Sequence, residues 1–133
     1  SIDLAAELGI DPDDDVALAY SRSKLVTDSA AAGIAAPLDG VHTEIRNAPA
    51  LAAQAAAARR MGMGGKACIH PAQIEPIHEA FTPTPDEVER ARSVIDAFEQ
   101  AEAAGTGAFE IEGEMIDLAV IRRARRVLAL EGA

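Results

Sequence analysis

The chain has 133 residues, the length of one ordinary domain at roughly 100–200 residues each. Its net charge of −10 and 3% aromatic content exclude both a broad phosphate-neutralising face and a base-stacking platform, so no nucleic-acid partner is expected. Hydrophobic residues make up 49%, but 30 of them are alanine. The core is therefore expected from helices packed closely through small side chains. No apolar run reaches the roughly 20 residues of a membrane span, and no membrane partner is expected.

The opening, Ser1-Ile2-Asp3-Leu4, has neither a basic n-region nor an apolar h-region, so it does not read as a signal peptide. Residues 1–15 carry six acids and no base. After the acidic loop Asp11-Pro12-Asp13-Asp14-Asp15, a helix is predicted over 16–32. Aspartate suits its N-cap, and Gly33 suits its left-handed stop. Residues 34–41 read as a short buried strand ending in a loop. An alanine-rich helix is predicted over 48–61, stopping before Gly62, and residues 65–69 form another short apolar run. Helix, strand, helix, strand in this order is the pattern of α/β units with a parallel sheet.

Past His70 the pattern changes. Pro71 suits the first turn of a short helix to Ala80. Thr84 and Glu87 spell a capping box with Pro85 at N1, opening a helix over 85–104 with Val88, Ala91, Ile95 and Phe98 on one face. Residues 108–116 alternate as a small hairpin turning at Glu112-Gly113. A last helix is predicted over 118–130, with Asp117 as its cap. Its run Arg122, Arg123, Arg125, Arg126 reads as a solvated face.

Candidate chemistry narrows quickly. Gly64-Gly65-Lys66 fails the phosphate-loop pattern, which needs glycine at Arg60 and Ser or Thr at Ala67. Cys68, the single cysteine, excludes an internal disulfide and a multi-cysteine zinc site; it suits a reducing cytoplasm and reads as a buried, inert thiol. His42, His70 and His78 share no ligand spacing. Asp3 and Asp39 both stand where a strand is expected to give way to a loop, the end at which α/β sheets and barrels build sites. A hard cation such as Mg²⁺ takes one or two carboxylates with substrate oxygens and waters. An isolated aspartate at such a place is nevertheless more often a cap or turn former, and Asp117 carries the same alternative.

The segments in series say more. They are Asp3-Leu4-Ala5-Ala6-Glu7-Leu8-Gly9, Tyr20-Ser21-Arg22-Ser23-Lys24-Leu25-Val26 and Ala36-Pro37-Leu38-Asp39-Gly40-Val41. Gly65-Lys66-Ala67-Cys68-Ile69-His70-Pro71-Ala72-Gln73-Ile74, Phe81-Thr82-Pro83-Thr84 and Glu112-Gly113-Glu114-Met115-Ile116-Asp117 follow. This series resembles the C-terminal half of the citrate lyase beta subunit-like proteins of the HpcH/HpaI aldolase superfamily, over essentially the whole chain.

The resemblance implies the C-terminal part of a TIM (β/α)₈ barrel over 1–80, with the N-terminal half absent. A helical extension and lid, carrying the small hairpin, would occupy 81–133. A closed barrel needs about 200–250 residues or more, so 133 cannot form one. The implied activity is a Mg²⁺-dependent carbon–carbon lyase on a CoA thioester of a 3-hydroxy dicarboxylic acid, of citramalyl, malyl or citryl type, giving an acyl-CoA and an oxo acid. Asp3 matches the family's metal-ligating aspartate, whose partner glutamate would lie upstream of Ser1. Asp117 matches an acid/base on the lid that serves a neighbouring subunit's site. Asp39, Lys66, His70 and Pro71 match motif positions near the barrel mouth and are assigned to cofactor binding. A homo-oligomer with lid exchange, a trimer, is also implied. Two alternatives stand beside this reading: a truncated, inactive remnant that at most binds a partner or CoA, and an HpcH/HpaI-type aldolase on free hydroxy acids.

Overall fold

The computed structural model describes residues 2–103, 109–111 and 114–131, which fall into two compact units, Ser1–Phe81 and Thr82–Ala133. Unit 1 opens with helix α1 (Ile2–Leu8). Helix α2 (Asp15–Ala31) is capped by Asp14, whose carboxylate accepts from the N–H groups of Val16 and Ala17. It ends as expected at Gly33, which holds the left-handed φ of +67° while Ile34 N–H reaches back to Ser29 O at 3.1 Å. Only Leu18 and Arg22 of α2 are buried, one turn apart on one face.

Strand β1 (Leu38–Asp39) leads to helix α3 (Ala48–Met61), and strand β2 (Gly65–Lys66) returns parallel to β1. Two parallel strands with a helical crossover form the βαβ unit anticipated from the order of elements. The strands are shorter than the 34–41 and 65–69 expected, and the reason is local. The ladder runs from Gly64 N–H to Pro37 O and from Ala67 N–H to Asp39 O. Beyond it, side chains take the backbone groups a longer ladder would use: Gly40 O accepts from Lys66 Nζ, His42 O from Gln73 Nε2, and Ile69 N–H donates to Gln73 Oε1. Gly64 permits the close approach, since a Cβ there would stand 3.1 Å from Ala36 O.

The alanines of α3 work as composition suggested. Leu51, Ala55 and Ala58 are buried at helical spacing, and α3 packs on helix α4 (Ile74–Phe81), whose Ile77 is buried. The short helix expected over 71–80 begins as a 3₁₀ turn, Pro71–Gln73, before α4 takes over. Large apolar side chains remain exposed in this unit, among them Val16 (85%), Tyr20 (77%) and Leu38 (68%).

Unit 2 packs helix α5 (Pro85–Ala103) against helix α6 (Leu118–Ala129). The capping box forms at α5: Thr84 N–H donates to Glu87 Oε2 at 2.8 Å, and Glu87 N–H to Thr84 Oγ1 at 3.2 Å. The core joins Ala91, Val94, Ile116, Ile121 and Ala124, with Ile95, Phe98, Val120, Val127 and Leu128 packed around them. The helices run antiparallel, because Arg92 pairs with Glu131 at 2.6 Å while Arg125 lies over the Phe98 ring. Strands β3 (Phe109–Ile111) and β4 (Glu114–Ile116) pair antiparallel as the expected hairpin; its turn at Glu112-Gly113 lies outside the described residues. The four arginines of α6 are exposed, as a solvated face requires. Among the described residues, no helix is long and apolar enough to cross a membrane.

Candidate functional site

In a parallel pair, residues in register point to the same face. Asp39 and Lys66 are partners in the β1–β2 register, so the last residue of each strand carries a charge into the same space. Lys66 Nζ lies 2.8 Å from Asp39 Oδ2 and 2.8 Å from Gly40 O. From α2, the Arg22 fork grips the same carboxylate, Nε to Oδ1 at 2.9 Å and a terminal nitrogen to Oδ2 at 2.6 Å. Its other terminal nitrogen reaches Asp15 at 2.6 Å. Asp15 and Arg22 are seven residues apart, two helical turns, which brings both to one side of α2.

The side chains of Asp39 and Lys66 are 2% and 1% exposed, so the pair sits in a weakly screened setting. Burial pushes the Asp39 carboxyl up, but hydrogen bonds and charge from Arg22 and Lys66 outweigh it and hold it below the ordinary carboxylate value. For Arg22, burial acts downward and the two aspartates outweigh it, raising the guanidinium above its usual value. The cluster is two cations and two anions: Asp39, Lys66 and Arg22 are buried, each paired with an opposite charge as buried ions require, and Asp15 is half-exposed.

A second polar cluster adjoins the loops that follow the strands. Gln73 is 1% exposed; its amide N–H donates to His42 O at 2.8 Å and its carbonyl accepts from Ile69 N–H at 2.9 Å. The His42 ring is buried, with Nδ1 3.1 Å from Gln54 Oε1. Gln54 Nε2 donates in turn to Asp13 Oδ1 at 3.3 Å. The His42 Nε2 is buried and has no hydrogen-bond partner among the described residues.

The residues singled out in sequence fall into distinct settings. Asp39 ends β1 as expected and, with Lys66, is engaged in the buried cluster. Asp3 does not mark a strand end. It lies exposed in the first turn of α1, because the helix is already under way at Ile2. His70 is exposed, and its Nδ1 accepts from Ala72 N–H at 3.1 Å, capping the turn that Pro71 begins. Cys68 is exposed rather than buried, because β2 ends at Lys66 and the chain leaves the sheet before reaching it. In unit 2, Asp117 caps α6, with Oδ1 accepting from Ala119 N–H at 2.8 Å and Val120 N–H at 3.0 Å. Among the described residues, no group of three or more His, Cys, Asp or Glu is gathered for a metal.

From the sequence, Arg22 and Gln73 stand inside motifs with no role of their own, His42 enters only as a histidine without ligand spacing, and Gln54 carries no signal. The Asp15/Arg22 spacing was a readable signal for one of them. The others depend on contacts between segments distant in the chain.

The family described as C-C_Bond_Lyase of the TIM-barrel fold matches residues 23–130. The chain belongs to this family. Among curated relatives, it is 36% identical over 129 residues to the mitochondrial citramalyl-CoA lyase of Rattus norvegicus, covering 96% of this chain and 38% of that protein. It is 40% identical over 112 residues to a citrate lyase subunit beta-like protein of Deinococcus radiodurans, covering 84% of this chain and 39% of the relative. Among solved structures, CitE from Mycobacterium tuberculosis in complex with magnesium, acetoacetate and coenzyme A matches with a TM-score of 0.80 at 32% identity. That match spans 97% of this chain and 49% of the other. The chain thus corresponds to less than half the length of these relatives, and its βαβ unit is part of a TIM-barrel architecture.

Proposed function

We propose that this chain forms part of a Mg²⁺-dependent carbon–carbon lyase that cleaves a CoA thioester of a 3-hydroxy dicarboxylic acid, of citramalyl, malyl or citryl type, into an acyl-CoA and an oxo acid. The observation that carries this reading is the likeness, over 97% of the chain, to a structure holding magnesium, an oxo acid and coenzyme A. In the reaction the hydroxyl loses its proton, and the bond to the carbon beside the thioester breaks. The electron pair passes into the thioester as an enolate, which then takes up a proton.

Asp3 fits a Mg²⁺ ligand, because its exposed carboxylate makes no hydrogen bond among the described residues, and Mg²⁺ needs only one or two protein carboxylates. Asp39 does not fit, since Arg22 and Lys66 occupy both its oxygens. The ion would polarise the oxygens of the oxo-acid half. Asp117 handles a proton: its Oδ1 is held by two backbone N–H groups, which orients Oδ2 for acid/base work. Asp39 and Lys66 frame the strand ends, and the exposed His70 and Pro71 lie on the loop beside them, where the cofactor's polar groups would pass.

The working form is a homo-oligomer, a trimer in which unit 2 of one subunit closes on a neighbour's site. The cytoplasm suits its exposed thiol. Thioester cleavage is measured on citramalyl-, malyl- and citryl-CoA, with Mg²⁺ and with chelator. Turnover of at least one ester, abolished by chelation, is expected. Equal turnover of the free hydroxy acids would assign a CoA-independent aldolase instead, and no cleavage of any ester would overturn the proposal.

A further inference from the structure

The segment 65–74 is the densest motif in the chain, yet the proposed chemistry leaves its most buried member without a task. Gln73 is the largest fully buried side chain among the described residues, and it lies on neither strand. Its two amide atoms instead reach two different loops: the one after β1, at His42 O, and the one after β2, at Ile69 N–H. In a parallel α/β architecture, these loops leave the sheet at the ends where ligands are met. Among the described residues, neither group has a backbone hydrogen-bond partner that would replace Gln73.

We propose that Gln73 is a positioning residue, whose buried amide sets the spacing of the two loops and holds the exposed turn at residues 68–70 in one pose. The loop after β1 is itself anchored from the other side. His42 is tied through Gln54 to Asp13, and Gly40 O is tied to Lys66. Gln73 therefore couples the second loop to a fixed frame. The turn it holds carries His70, already set by its own cap on Ala72. The catalytic consequence rests on the lyase reading; the coupling itself does not.

Three variants of the full chain separate these parts. Gln73→Met conserves volume and deletes both hydrogen bonds. Gln73→Glu keeps an acceptor for Ile69 N–H but sets a carboxylate against His42 O unless that carboxyl is protonated. Gln73→Asn keeps the chemistry but shortens the reach, so it serves if Gln73→Met fails to fold. Amide exchange at Ile69 should accelerate about tenfold or more in Gln73→Met, because a protecting acceptor is lost. In the assembled enzyme, kcat should fall by about 10- to 100-fold, the scale of small misplacements near a reacting group, while the fold stays intact by circular dichroism.

The diagnostic readout is pH. Burial beside a carbonyl raises a glutamic acid above its ordinary value. The activity of Gln73→Glu relative to the native enzyme should then climb about fivefold or more as pH falls, since each pH unit changes the protonated fraction of a mostly ionised carboxyl about tenfold. The Gln73→Met ratio should stay flat. Native exchange at Ile69 in Gln73→Met overturns the proposal whatever the activity. Accelerated exchange with undiminished kcat, or a flat Gln73→Glu ratio, overturns the catalytic part. If the native enzyme cleaves no thioester, the lyase reading fails, and the exchange measurement still decides the coupling.

Discussion

Lys66 and Asp39 meet across the β1–β2 register with Nζ 2.8 Å from Oδ2, their side chains 1% and 2% exposed. Arg22 binds both oxygens of the same carboxylate through two nitrogens, sharing Oδ2 with Lys66. The anion is thus shared between a cation on its own sheet and one on α2. It links three elements that nothing in the chain connects locally.

Removing the shared anion should cost more than removing either cation. Asp39→Asn leaves Arg22 and Lys66 buried together without their common counter-charge, an imbalance worth about 3–5 kcal/mol. Lys66→Met leaves the two-pronged Arg22–Asp39 pair intact, so about 1–3 kcal/mol is expected. Urea unfolding of the two variants checks the ranking; a larger loss in Lys66→Met would contradict it.

The same cluster predicts acid sensitivity. The folded Asp39 carboxyl titrates below its ordinary value, so the unfolded chain binds the proton more readily. This contribution to stability is fully present above the unfolded value of about 3.9 and is lost as pH falls through the folded value. Between pH 5 and 8 it is constant. Chemical denaturation across pH 2 to 6 should show native stability falling in acid more steeply than that of Asp39→Asn. Parallel curves would count against the cluster as the source.

Asp117 combines a cap with a proposed proton transfer, and two substitutions separate them. Asparagine caps as well as aspartate, whereas alanine costs about 1 kcal/mol of helix stability. Asp117→Asn should retain the melting temperature yet lower kcat about 100-fold or more, with little change in thioester affinity. Asp117→Ala should lose both. If Asp117→Asn is fully active, the residue is a cap alone.

At the start of α5, Thr84→Ala deletes one arm of the capping box and should destabilise unit 2 by about 1 kcal/mol. Thr84→Ser keeps the hydroxyl and should be near neutral. Thermal melts of the pair check the difference.

Much of this was readable from the residues alone, and the reason is locality. Thr84 with Glu87, Asp117 with the N–H groups just beyond it, and Gly33 after α2 act within a few positions of themselves. Their caps and stops therefore lie almost where expected. The strand lengths were not readable in this way. An apolar run such as 65–69 looks uniform, yet β2 ends at Lys66, because Ile69 N–H is taken by a glutamine amide rather than by a neighbouring strand. The same departure exposes Cys68, which its apolar neighbours had marked for burial.

The opening numbers, 133 residues at net charge −10 with alanine as the main apolar residue, bounded the class, and the order of motifs identified the family. Both are properties of the chain as text, because helix periods, caps and motif spacings repeat wherever local backbone chemistry repeats. Only the tertiary structure decided that Asp39 is gripped by Arg22 and Lys66, 17 and 27 residues away, and that Gln73 spans two loops. Such pairings arise when parallel strands come into register and a helix crosses behind them. No spacing along the chain encodes which charges that register will bring face to face.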